Sequence, residues 1–257
     1  MDSGKKIAIF ALLVSFGFAV YFGASLAIEM RVSRQGAEFY AALPVEFGRE
    51  GEGERQGGKQ DGSSVSRGSE ADELSCLPPS PLPPGWIRSE GTPINYPIMQ
   101  GCDNDFFMHH LPDQSRHAWG SIFLDYRNAA DFSDECILIY GHSIRAGDMF
   151  GSLRNYANPG FFEAHPRMFI FTPARDFVLH LFAGYVIDST AEVPPMRFEN
   201  EEHFDEFIAD VRSRSIFSSE VLPTFGDNIV FLCTCTANIN ERLIIVGFTE
   251  LMSTSPA

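Results

Sequence analysis

Basic residues are scarce in this chain: 19 Lys and Arg stand against 34 Asp and Glu, a formal net charge of −15 over 257 residues. That balance argues against a nucleic-acid role, because phosphate binding needs a basic face. Cysteine is sparse too. The five, at 76, 102, 136, 233 and 235, are too few and too irregularly spaced for a disulfide scaffold, and their odd number leaves at least one thiol unpaired within the chain. No pair of Cys-x-x-Cys motifs offers a zinc site, and Cys233-Thr234-Cys235 is too tight to resemble one. No metal site, no cofactor motif and no internal repeat is legible.

What is present begins with a long apolar run. Lys5 and Lys6 precede Ile7 to Ile28, which carries no ionisable residue before Glu29. As a helix at about 1.5 Å per residue this run spans about 33 Å, the thickness of a bilayer core. The positive charges at its start favour a cytoplasmic tip and an exported C-terminal part, although Arg31 and Arg34 weaken the bias. Ser25-Leu26-Ala27 would suit a signal peptidase, but the run is longer than a usual signal core, so an uncleaved anchor is preferred. An exported protein seldom carries a free thiol without use.

Four regions follow from this reading. Residues 1–28 form a cytoplasmic tip and transmembrane anchor, and 29–47 a weakly patterned helical stalk with Val32, Ala37, Phe39, Tyr40 and Leu43 as its apolar positions. Residues 48–85 form a flexible linker. It is rich in Gly, Ser and Glu up to Ser75, unable to offset its ordering entropy by burial, and stiffened by prolines from Leu77 to Pro84. Residues 86–257 form one β-rich domain. Its expected strands are Ser121–Asp125, Cys136–Gly141, Met168–Thr172, Phe177–Asp188, Asn228–Cys235 and Leu243–Glu250, with helices over Met149–Tyr156 and Glu201–Arg214. The second helix places Phe204, Phe207, Ile208 and Val211 on one face, the stripe of a helix packed on a core.

Cys235 ends the apolar run Ile229-Val230-Phe231-Leu232, where a buried strand meets a loop and catalytic groups are often held. A lone cysteine there is more often a packed small hydrophobe, so its company decides. A thiol attacks an amide as the thiolate or beside a base, and a second group must protonate the leaving amine. His142 follows Ile137-Leu138-Ile139-Tyr140-Gly141 at another strand end. His109 and His110 fall in a polar turn, His165 precedes Pro166 and His180 alternates within a strand, so each has a structural explanation. Arg242 opens the strand after Cys235. It stays charged and offers several donors, suiting it to hold a carbonyl oxygen that becomes an oxyanion.

The segment Leu232-Cys233-Thr234-Cys235 with Arg242 downstream resembles the Leu-x-Thr-Cys and arginine signature of sortases. Three longer stretches resemble class B sortases in particular: Asn95 to Gly101 with Asp103-Asn104, Gly120 to Asn128, and Ile139 to His142 leading to Asp148 to Leu153. Together these cover most of Trp86 to Leu251. The resemblance implies a mostly β fold, an eight-stranded sortase-type barrel with additional helices, preceded by the transmembrane helix and the disordered linker. It implies that Cys235, His142 and Arg242 are catalytic and that Asn104, Thr234 and Cys233 support them or line the substrate site. The implied partners are surface proteins or pilins bearing a C-terminal sorting signal, and an amine of peptidoglycan precursor or of a pilin lysine. The implied location is the cell membrane, single-pass, with the catalytic domain outside.

Two features depart from that pattern. The position two before the nucleophile is often serine or another small residue, and here it is Cys233, which shares a strand face with Cys235 and reads as a serine-sized filler. The apolar lead-in Leu82-Pro83-Pro84-Gly85-Trp86 puts the N-terminal helices of class B members in doubt. An L,D-transpeptidase would gather histidine, cysteine and arginine in one short motif, which is absent. A papain-like protease would place cysteine before histidine. An inactive scaffold is disfavoured because all three catalytic residue types are present.

Overall fold

Three apolar runs in this chain lack the alternation of a half-buried strand, and the reason lies in how they are covered. The computed structural model describes residues 3–43, 82–188, 194–235 and 240–252, with side chains left aside at 3–14, 16 and 235. Eight strands close into a barrel: β1 (Gly85–Arg88), β2 (Asn95–Met99), β3 (Ile122–Leu124), β4 (Cys136–Tyr140), β5 (Arg167–Phe171), β6 (Asp176–Asp188), β7 (Ile229–Cys235) and β8 (Glu241–Leu251). Their order around the barrel is β1-β2-β3-β4-β7-β8-β6-β5. Pairing is parallel for β2 with β3 and for β4 with β7, and antiparallel elsewhere.

Ile137, Ile139, Val230, Leu232, Leu243 and Ile245 fill the barrel interior. The alternate residues Cys136, Leu138, Phe231, Cys233, Ile244 and Val246 point outward, where they are buried in a second cluster with Phe204, Ile208 and Val211. Those three come from helix α3 (Glu201–Ser213), whose N-terminus is capped by Asn200 accepting from the His203 amide at 2.9 Å. Strands buried on both faces read as unbroken apolar runs, which is what β4, β7 and β8 do.

The six expected strands are all present, with ends shifted by one or two residues. β1 and β2 are additional; they are short, and Pro97 inside β2 masks its strand character in the sequence. The first expected helix is a 3-10 helix over Phe150–Ala157, and a four-residue helix α2 (Phe161–Ala164) follows it.

Helix α1 runs from Ser3 to Ala42. Among the described residues no helix is long and apolar enough to cross a membrane. The expected span Ile7 to Ile28 lies partly where side chains are not described, and the expected linker from 48 to 75, Cys76 and the proline run up to Pro81 lie outside the described residues. The last turns of α1 pack on the barrel. Tyr40 is buried, donates its hydroxyl to the Gly120 carbonyl at 2.7 Å and stacks against Trp119.

Candidate functional site

The strand register governs what meets at one end of the barrel. Tyr140 of β4 is level with Cys233 of β7, and the Gly141 amide extends the ladder by donating to the Cys233 carbonyl at 3.1 Å. Continuing that register brings His142 level with position 235. On the other side of β7, Cys235 is the direct pairing partner of Arg242 on β8. Residues alternate faces along a strand, so position 235 belongs to the outward series of Phe231 and Cys233, and position 242 to that of Ile244 and Val246. Three adjacent strands thus carry the histidine, cysteine and arginine positions to one end and one face of the barrel. The side chain of Cys235 lies outside the described residues.

His142 is half-buried, and its Nε2 lies 2.7 Å from the Met108 carbonyl oxygen. A carbonyl only accepts, so Nε2 carries a proton and Nδ1 is the basic nitrogen of the neutral ring. The loop beyond is pinned in several places. The Phe150 amide donates to the His142 carbonyl at 3.0 Å, Ser143 bridges to Met149, and Arg154 donates to the carbonyls of Ile144 and Arg145. Met149 sits at φ 53°, a conformation costly for a residue with a side chain, and is held by full burial and by the Tyr96 hydroxyl on its amide at 3.0 Å. Gly141 sits close against its neighbours: a Cβ there would meet Ile122 Cδ1 and lie 2.8 Å from the Phe150 ring, so any larger residue would have to displace both side chains.

Cys233 is buried at 3% exposure. Burial pushes its thiol up to about 12, although the positive Arg242 nearby pulls the other way. The thiol packs in the outward cluster beside Phe231 and Ile244. Thr234 points inward and is buried, with no hydrogen-bond partner for its hydroxyl among the described residues. Asn104 donates to Asp125 Oδ2 at 3.0 Å and accepts from the Tyr126 amide at 3.1 Å.

Sequence reasoning missed the centre of that last group. The Asp125 side chain has no exposure. It accepts from Arg127 Nε and Nη2, both at 2.8 Å, from the Arg127 amide at 3.0 Å, and from the Tyr140 hydroxyl at 3.0 Å. Burial alone would raise its pKa; the bonds from Arg127 and Asn104 outweigh it and hold the carboxyl at about 2. The available signal was a carboxylate directly after the apolar strand Ile122-Phe123-Leu124, a place where a charge needs a partner. Met108 gave no signal, because only its backbone carbonyl is used. Cys102 is disulfide-bonded, a pairing that spacing did not indicate.

No family model matches the chain. Among curated proteins it is 34% identical to the sortase B of Listeria monocytogenes over 166 residues, 63% of this chain and 68% of that protein. It is 28% identical to the sortase B of Staphylococcus aureus over the same length, with the same shares covered. Among solved structures, the Staphylococcus aureus sortase B–substrate complex matches with a TM-score of 0.63 at 27% identity, covering 66% of this chain and 80% of that one. A Bacillus anthracis protein similar to sortase B matches with a TM-score of 0.60 at 30% identity, covering 66% and 78%. A closed eight-stranded barrel with cysteine, histidine and arginine positions at adjoining strand ends is the frame of a cysteine transpeptidase. The chain belongs to the sortase family, in its class B.

Proposed function

We propose that the chain is a membrane-anchored class B sortase acting outside the cytoplasm, with Cys235 as nucleophile, His142 as acid and base, and Arg242 as the oxyanion donor. The observation that carries this is the register: Cys235 pairs directly with Arg242, and the parallel β4 ladder extended past Gly141 leads to His142. The anchor reading draws on Lys5, Lys6 and the apolar run Ile7 to Ile28. The disulfide at Cys102 agrees with an oxidising compartment.

In the reaction, Nδ1 of His142 takes the Cys235 thiol proton, and the resulting thiolate attacks the carbonyl carbon of a Thr-Gly-type or Thr-Asn-type bond in a C-terminal sorting signal. The carbonyl electrons move onto oxygen, where the Arg242 guanidinium stabilises them. The tetrahedral intermediate collapses, the C–N bond breaks, and the leaving amine takes a proton from His142, leaving a thioester. An amine of a peptidoglycan precursor or of a pilin lysine then gives a proton to His142, attacks the thioester carbon and expels the thiolate. Because Nε2 of His142 is held by the Met108 carbonyl, Nδ1 is the nitrogen that exchanges these protons. Asn104 and Tyr140, joined through Asp125, brace the neighbouring wall, and Thr234 and Cys233 set the packing beneath the nucleophile.

The test is mass spectrometry of the purified protein after incubation with sorting-signal peptides, comparing wild type with Cys235→Ala and Cys233→Ala. The acyl adduct should form in wild type and Cys233→Ala and be absent from Cys235→Ala. An adduct that survives in Cys235→Ala and vanishes in Cys233→Ala overturns the assignment.

A further inference from the structure

The C-terminal turns of α1 are joined to the barrel at close range. A Cβ on Gly36 would meet ring carbons of Trp119 at 2.6 and 2.7 Å, so only glycine admits the indole there. Mid-helix glycine costs about 1 kcal/mol relative to alanine, which the aromatic joint offsets. In that joint Tyr40 lies edge-on to Tyr96 at 5.0 Å and nearly parallel to Trp119 at 6.4 Å. From here back toward its N-terminus, α1 runs beside the loop that follows His142. Leu26 and Ile28 on the helix line one groove of about 1110 Å³ together with Trp119, Ile144 and Arg145 of the barrel. The groove opens onto more apolar helix surface, where Phe18, Tyr21, Phe22 and Met30 are each more than half exposed. Continuous apolar surface of this kind marks an interaction site.

We infer that the loop Ser143 to Ala146 rests on the surface of a phospholipid bilayer, with Ile144 at the boundary of headgroups and acyl chains and Arg145 against lipid phosphates. This rests on the reading of Ile7 to Ile28 as the membrane anchor. Leu26 and Ile28 close that span, and they share a groove with the loop, so the loop lies at the depth where the span ends. The charges agree with such a place. Arg31 and Arg145 are exposed, Glu29 is the groove's own acid, and Arg34 is occupied by Glu38 at 2.7 Å. Basic side chains at this level meet lipid phosphates while their stems stay in apolar surroundings. A bilayer is the occupant that covers the groove and the exposed helix face together. The docked helix, and not the length of segment 44–81, then sets the height of the barrel above the membrane.

The experiment uses the full chain carrying Cys235→Ala, reconstituted in vesicles of mixed phosphatidylcholine and phosphatidylglycerol, with an environment-sensitive fluorophore on Arg145→Cys. A second preparation carries the fluorophore on Glu250→Cys, at the far end of β8. Lipids bearing a nitroxide near the headgroup should quench the label at 145 and leave that at 250 unchanged, and an alkaline carbonate wash should leave the protein in the vesicles. In Gly36→Leu the joint is forced open, so quenching at 145 should be lost while carbonate resistance and the melting of the barrel are kept. Carbonate resistance without quenching at 145 overturns the docking and leaves the anchor standing; release by carbonate overturns both. Quenching that persists in Gly36→Leu overturns the role given to the helix joint.

Discussion

Asp125 is the residue whose removal tests the electrostatics of the site most directly, and Asp125→Asn is the change to make. Its carboxyl sits at about 2 against an ordinary 3.8, worth about 2.4 kcal/mol at neutral pH at ~1.36 kcal/mol per pKa unit. Arg127, its main partner, is 40% exposed, so solvent screening reduces this to about 1–2 kcal/mol. The asparagine also turns an NH2 toward a guanidinium or the Tyr140 hydroxyl, and the total loss should be about 2 kcal/mol. In a domain of this size that lowers Tm by about 4–8 °C. The folded-state pKa is depressed, so the stabilisation is fully present above the ordinary 3.8 and is lost as pH falls through about 2. Thermal melts of wild type and variant, run from pH 7 downward, should therefore show a gap that is constant above pH 5 and narrows toward pH 2. A variant melting within about 1 °C of wild type at pH 7, or a gap undiminished at low pH, refutes the reasoning.

Other outcomes follow from the same geometry. In Gly120→Ala a Cβ at φ +54° would lie 2.4 Å from the Met108 carbonyl oxygen, the acceptor of His142; on the proposed mechanism kcat should fall about tenfold or more, beyond any change in KM, because the ring assigned as acid and base loses its fixed tautomer. Unchanged kcat would remove Met108 from the mechanism. Substituting Lys for Arg242 keeps the charge and loses the planar fork, so turnover should drop about 100-fold; near-normal steady-state kinetics would make that residue structural. Burial holds the thiols of Cys136 and Cys233 up at about 12, so iodoacetamide at pH 8 should leave both unmodified in the folded protein. Peptide mapping that finds either one alkylated as fast as Cys235 would contradict the packing.

The sequence revealed the strands of this barrel wherever burial on both faces wrote a continuous apolar run, as at Ile229 to Leu232 and Leu243 to Val246. It concealed β1 and β2, which are four and five residues long and of which the second contains a proline. The candidate residues were legible because cysteine, histidine and arginine each stood next to such a run. What joins them was not, since strand register is a property of pairing and no local pattern records that β4 lies beside β7. The Asp125 network was hidden for a related reason: Asn104, Arg127 and Tyr140 come from separate segments, and only the closed barrel converges them. A backbone acceptor such as the Met108 carbonyl is invisible in principle, as every residue has one. The packing of Tyr40 into the barrel was equally unreadable, because weak apolar spacing from Val32 to Leu43 fits a free stalk as well as a docked one.

The parallel pairing of β4 with β7 has a kinetic side. β4 belongs to the middle of the chain and β7 to its last part, and their contact is made only after both intervening strands and α3 have been synthesised. Pairings so distant in sequence form late, since the loop they close must lose its freedom first. The strand ends that carry His142 and position 235 therefore come level only in a late step of folding, so a chain still being completed does not yet hold them together.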